Sequence, residues 1–117
     1  MSGIKAKTAL GRPGRTLAAR LLPHQDVVEG IVGLIKEHGL KSGTVTALGS
    51  LRSAKVVWAG SMEFGEDPME VAVFHQMEGP VELGTASGVF GTDEEGQVVI
   101  HIHGVVMDKE GNMRCGN

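Results

Sequence analysis

Two histidines, His101 and His103, stand two residues apart inside the β-branched run QVVIHIHGVVM at positions 97–107. On a strand successive side chains alternate faces, so the two imidazoles project to one side, about 7 Å apart along the chain, while Ile100, Ile102 and Gly104 face the other. Imidazole nitrogen suits zinc and its first-row neighbours. The pair can therefore converge on one divalent ion, and the same spacing equally suits two histidines on a solvated strand face. A metal site needs a third ligand. His24 precedes the one expected helix, and His38 stands at its end, where positive charge is favourable. His75 lies mid-strand, and Glu70 on the same expected strand is the best carboxylate candidate, with a solvent-facing role as its alternative. The single cysteine, Cys115, excludes an internal disulfide and a multi-cysteine zinc site. No nucleophile–base pair or phosphate loop is present, and Gly84, Gly88 and Gly91 read as bulges or close strand packing.

Holding such a pair requires a sheet, and the sequence supplies one. Apolar residues Val27, Ile31, Leu34 and Ile35, with His38, recur at helical spacing, which predicts a helix over 26–38. Asp26 is its cap, Glu29 completes a capping-box spacing, and Gly39 is its stop. Gly30 and Gly33 inside it suggest close backbone packing, against the sheet. Strands are expected at 16–22, 43–48, 52–60, 69–78, 82–90 and 97–107, with GEDP (65–68) and DEEG (93–96) as turns. One helix followed by consecutive strands is the pattern of an α+β domain with a curved, mostly antiparallel sheet.

The 117 residues fit one domain. No apolar run reaches the roughly 20 residues of a membrane span, and no signal-peptide pattern opens the chain, so a cytoplasmic protein without a membrane partner is expected. Charge is unevenly placed. Lys5, Lys7, Arg12, Arg15 and Arg20 all precede the first acid, Asp26, giving the first 25 residues +5 and the remainder −8 within a net charge of −3. Residues 1–15 therefore read as a basic flexible arm before a single domain at 16–117. Such an arm can contact a polyanion or dock on the acidic remainder.

From Arg20 to Asn117 the chain resembles the plants-and-prokaryotes-conserved domain. The matching segments are RLLPHQDVVEGIVGLIKEHGLKSGTVTALGSL (20–51), Glu70 leading its strand, MEGPVEL (77–83) and HIHGVVMDKEG (101–111). The resemblance implies a curved antiparallel sheet with one main helix, assembly as a homotrimer, and a DNA-binding or regulatory role. It also implies a metal site, because the family commonly joins its H-x-H strand to a Gly-Gly-His segment. Aligned on Gly111, that segment falls on Cys115, Gly116 and Asn117, so Asn117 stands where the family has histidine. Members usually run on for a further strand or two. More distantly the chain is similar to α-acetolactate decarboxylase, a zinc enzyme. That likeness implies the alternative of a zinc-dependent lyase or hydrolase acting on a small anionic substrate, with Arg20 holding the anion and Glu70 acting as acid or base. GRP at 11–13, with Lys7 and Arg15 nearby, is similar to the core of an AT-hook, which implies DNA contact by Lys7, Arg12 and Arg15 in an A/T minor groove.

Overall fold

The computed structural model describes residues 3–60, 67 and 69–117. Helix α1, Val27–Glu37, forms where the spacing places it: the Asp26 carboxylate accepts the Glu29 N–H at 2.9 Å. At the other end the N–H groups of Gly39 and Leu40 donate to the carbonyls of Lys36 and Ile35, with Gly39 at φ 61°. This paired closure satisfies the last free carbonyls and needs a left-handed residue at that point. Ile35 is the buried residue of the helix.

Segment 16–22 is not a strand. It runs back along α1 instead: Leu21 fills the space beside Gly30, and Arg15 Nη2 donates to the His38 carbonyl at 3.1 Å. A strand needs a neighbouring backbone to satisfy its N–H and C=O groups, and this segment packs on a helix, whose backbone bonds are internal. Gly30 thus does pack closely, but against Leu21 rather than the sheet, while Gly33 has nothing within 4 Å of where a Cβ would stand.

Four strands follow, β1 (Gly43–Ala59), β2 (Ala72–Thr92), β3 (Val98–Met107) and β4 (Met113–Gly116), each antiparallel to the next in the order β1-β2-β3-β4. The strands expected at 43–48 and 52–60 are two halves of β1, and those at 69–78 and 82–90 are two halves of β2. Register shifts between Ala47 and Gly49, between Leu51 and Ser53, and between Leu83 and Thr85 bend the long strands instead of ending them. The first halves and second halves of this long hairpin therefore face different neighbours.

The bend brings the chain end back to β1. Val57 and Asn117 exchange both backbone hydrogen bonds, at 3.1 and 2.9 Å. Gly116 makes that approach feasible, because a Cβ there would lie 2.6 Å from the Val57 carbonyl oxygen. Inside the curve sit Val56, Met77, Val81, Leu83, Ala86 and Val106, with Ala47, Leu51, Ala54, Trp58 and Ile102 packed against them. Each fully buried aliphatic side chain contributes about 1.5–3 kcal/mol.

Two hairpins share one loop design. Asp93 Oδ1 accepts the N–H groups of Glu95 and Gln97, and Asp108 Oδ1 accepts those of Glu110 and Asn112. Gly96 and Gly111 hold φ 82° and 86° at the same loop position, where a side chain would be strained. The second loop makes β4, a strand absent from the periodicity because it is only four residues long.

Candidate metal and ligand face

Strand β3 sorts its side chains as its alternation requires. Ile100, Ile102, Gly104 and Val106 turn inward, half-buried or buried, and Val99, His101 and His103 are exposed. The Nε2 atoms of His101 and His103 lie 2.9 Å apart, with ring centroids at 4.8 Å and ring planes inclined at 51°. One ring donates its N–H and the other accepts, so this contact requires at least one neutral imidazole.

Register places the neighbours. Ser87 of β2 lies across from His103 and Val89 from His101; Thr46 and Thr44 of β1 lie beyond them. On the other side Gly116 of β4 pairs with Gly104, and Asn117 follows Gly116 in the chain. Asn117 in turn pairs with Val57, which pairs with Phe74.

The two imidazole nitrogens suit a divalent ion. At the usual zinc–nitrogen distance of about 2.1 Å, two ligands on one ion stand roughly 3.0–3.4 Å apart. The pair is close to that already. Such an ion would act there as a Lewis acid, polarising a carbonyl or a bound water. Among the described residues no group of three His, Cys, Asp or Glu side chains converges.

The other expected residues lie apart. Glu70 is exposed in the turn before β2, its N–H donating to the Asp67 carbonyl at 3.0 Å, and so does not lead the strand. Arg20 is exposed on the segment beside α1, and Lys7 and Arg12 are exposed on the arm. Arg15 donates to the His38 carbonyl, and its charge sits at the helix end where a cation is favoured. His38 is the C-cap, His24 holds φ 72° in the turn before α1, and His75 faces Trp58 with ring centroids 6.3 Å apart.

Sequence reasoning missed the closure of β4 on β1 and the capping by Arg15. It also missed the second Asp loop, although DKEGN repeats the spacing of DEEGQ and would have revealed it. There the hydrogen bonds from the Asn112 backbone and side chain, with lesser help from Glu110 and the Arg114 charge, hold the Asp108 carboxyl below the ordinary carboxylate range against the opposing effect of desolvation.

An α+β domain with a bent antiparallel sheet, one helix and an exposed histidine pair is the class that fold and face define. The Plants and Prokaryotes Conserved (PCC) domain family matches residues 9–117, and the chain belongs to that family. Among solved structures, a plant- and prokaryote-conserved protein from Pyrococcus horikoshii matches with a TM-score of 0.73 at 19% identity, over 88% of this chain and 67% of that one. A metal-containing protein from Archaeoglobus fulgidus matches at 0.62 and 23% identity, over 79% and 60% of the two chains. A protein from Bacteroides thetaiotaomicron, provisionally described as DNA-binding, matches at 0.63 and 18% identity, over 77% and 58%. The chain thus spans about three-fifths of the length of the last two. No curated protein matches the sequence. Among the described residues no helix is long and apolar enough to cross a membrane.

Proposed function

We propose that this chain is a homotrimeric DNA-binding or regulatory module whose basic arm contacts the phosphate backbone. The observation that carries it is the family membership over 9–117 together with an arm, residues 3–20, that is exposed throughout and contains no acid. The Bacteroides relative's provisional description points the same way. Lys7, Arg12 and Arg15 are the contacting residues, and Arg15 also fixes the arm to the end of α1. Three phosphate contacts give a slope of about −2.7 in log affinity against log salt, a loss of about 40-fold between 50 and 200 mM. Fluorescence anisotropy on a duplex reads this slope, and deletion of residues 1–15 removes the binding. Duplex binding unchanged by that deletion, or no binding at low salt, refutes the arm as the contact. Light scattering after size exclusion tests the assembly, with about three times the 12.3 kDa chain mass expected.

The 2.9 Å approach of the two Nε2 atoms favours a second property of the same protein, weak binding of Zn²⁺ or a similar ion by His101 and His103 with Asn117. The metal-containing Archaeoglobus relative supports it. The zinc-enzyme alternative needs Arg20 and Glu70 to reach this face.

A further inference from the structure

We propose that Met107, Met113 and Cys115 form a binding site for a soft monovalent ion, Cu(I), on the ribbon of β3 and β4. The site is separate from the histidine pair, and it depends on neither the assembly nor the DNA contact proposed above.

Register gathers the three sulfur-bearing side chains on one patch. Val106 and Gly116 are buried against the core. Met107 on β3 and Cys115 and Met113 on β4 therefore turn to the opposite face, where all three are exposed. Met107 lies directly across from Met113 and Val105 across from Cys115, with no register shift in the ribbon. The bonding phase brings these pairs close. Asn117 exchanges both of its backbone bonds with Val57, so Gly116 turns its own toward β3. By alternation Cys115 and Met113 stand in the pairs that exchange no backbone bond, where facing Cα atoms are only about 4.5 Å apart. At the loop end the Asp108 N–H donates to the Asn112 carbonyl at 3.0 Å, which sets the same phase. Two thioethers thus start from neighbouring positions, and a thiol stands about 7 Å further along β4 on their face. The three rotatable bonds of each methionine supply the reach to close on one ion.

The donors select the ion. Thioether and thiolate sulfur is soft and favours Cu(I) over hard cations. Cys115 is in no disulfide. On binding, its thiol gives a proton to water and a sulfur–copper bond replaces the S–H bond. The thiolate charge cancels that of the ion and the thioethers add none, so the filled site is neutral. Glu82, level with Met107 on β2, and Lys109 line the adjoining hollow of about 260 Å³, and their opposite charges offset. His103 lies further along β3, with Val105 between it and Met107. One face therefore offers nitrogen donors at one end and sulfur donors at the other.

Anaerobic transfer of Cu(I) from the coloured chelator bicinchoninate tests the site. The unmodified protein should take one ion per chain; no uptake overturns the proposal. Half an ion per chain also overturns it, because that means a bridge between the cysteines of two copies. Cys115→Ser should take none, and undiminished uptake there refutes the site. Met107→Leu with Met113→Leu keeps the apolar bulk at two exposed positions and should weaken uptake by about a factor of ten or more. Equal uptake by this double variant removes the thioethers and the proposal with them. His101→Ala with His103→Ala should leave Cu(I) uptake unchanged, and loss of uptake there would move the ion to the histidine pair. The copper-edge X-ray absorption spectrum of the unmodified protein gives a readout that needs no variant. Sulfur neighbours are expected, and an imidazole shell in their place overturns the assignment.

Discussion

Gly116→Ala tests whether the return of the chain end to β1 holds the curve of the sheet. The new methyl group would lie 2.6 Å from the Val57 carbonyl oxygen and 3.1 Å from its carbon, both backbone atoms that cannot rotate aside. β4 must therefore lift from β1, and the two Val57–Asn117 bonds are lost. At about 0.5–1.5 kcal/mol net for each bond the variant should lose roughly 1–3 kcal/mol. That corresponds to a fall of about 4–12 °C in melting temperature for a domain of this size. Gly91→Ala is the reference, since nothing lies within 4 Å of its added Cβ. Thermal unfolding by circular dichroism gives the stability difference, and hydrogen exchange at the Val57 and Asn117 amides locates it. If Gly116→Ala melts with Gly91→Ala and both amides keep their protection, the closure contributes nothing and the reasoning is wrong.

Two further outcomes follow from the face and its loop. Replacing His101 and His103 together by alanine should abolish Zn²⁺ uptake in titration calorimetry without changing the far-ultraviolet spectrum, since both side chains are exposed. Asn117→His should tighten uptake; no heat from the unmodified protein or from Asn117→His would reduce the pair to surface histidines. For Asp108, whose carboxyl is held low by the Asn112 and Glu110 hydrogen bonds, the stabilisation is present above about pH 4 and is lost as pH falls through the lowered folded value. Asp108→Ala should therefore be less stable than the unmodified protein at pH 7 in urea titrations, with the gap closing in acid; a gap independent of pH would remove the carboxylate from the account.

The parts legible in the sequence are those decided by near neighbours. The start and stop of α1 follow from Asp26 and Gly39, because capping involves residues within about one turn. The shared face of His101 and His103 follows from strand alternation alone, and the Asp93 loop follows from turn chemistry. Reading 16–22 as a strand failed because its apolar pattern says what can be buried, not against which element, and Leu21 found Gly30 of α1. Splitting β1 and β2 into four strands failed because a bulge and a chain reversal leave similar local signs. Alignment could set Asn117 in the third ligand position, but only the sheet reveals that Gly116 before it pairs with Gly104 and that Asn117 itself bonds Val57. Those pairings join residues up to sixty positions apart in the chain. They depend on how far two long strands bend around a shared core, which is a property of the packed whole and of no single segment.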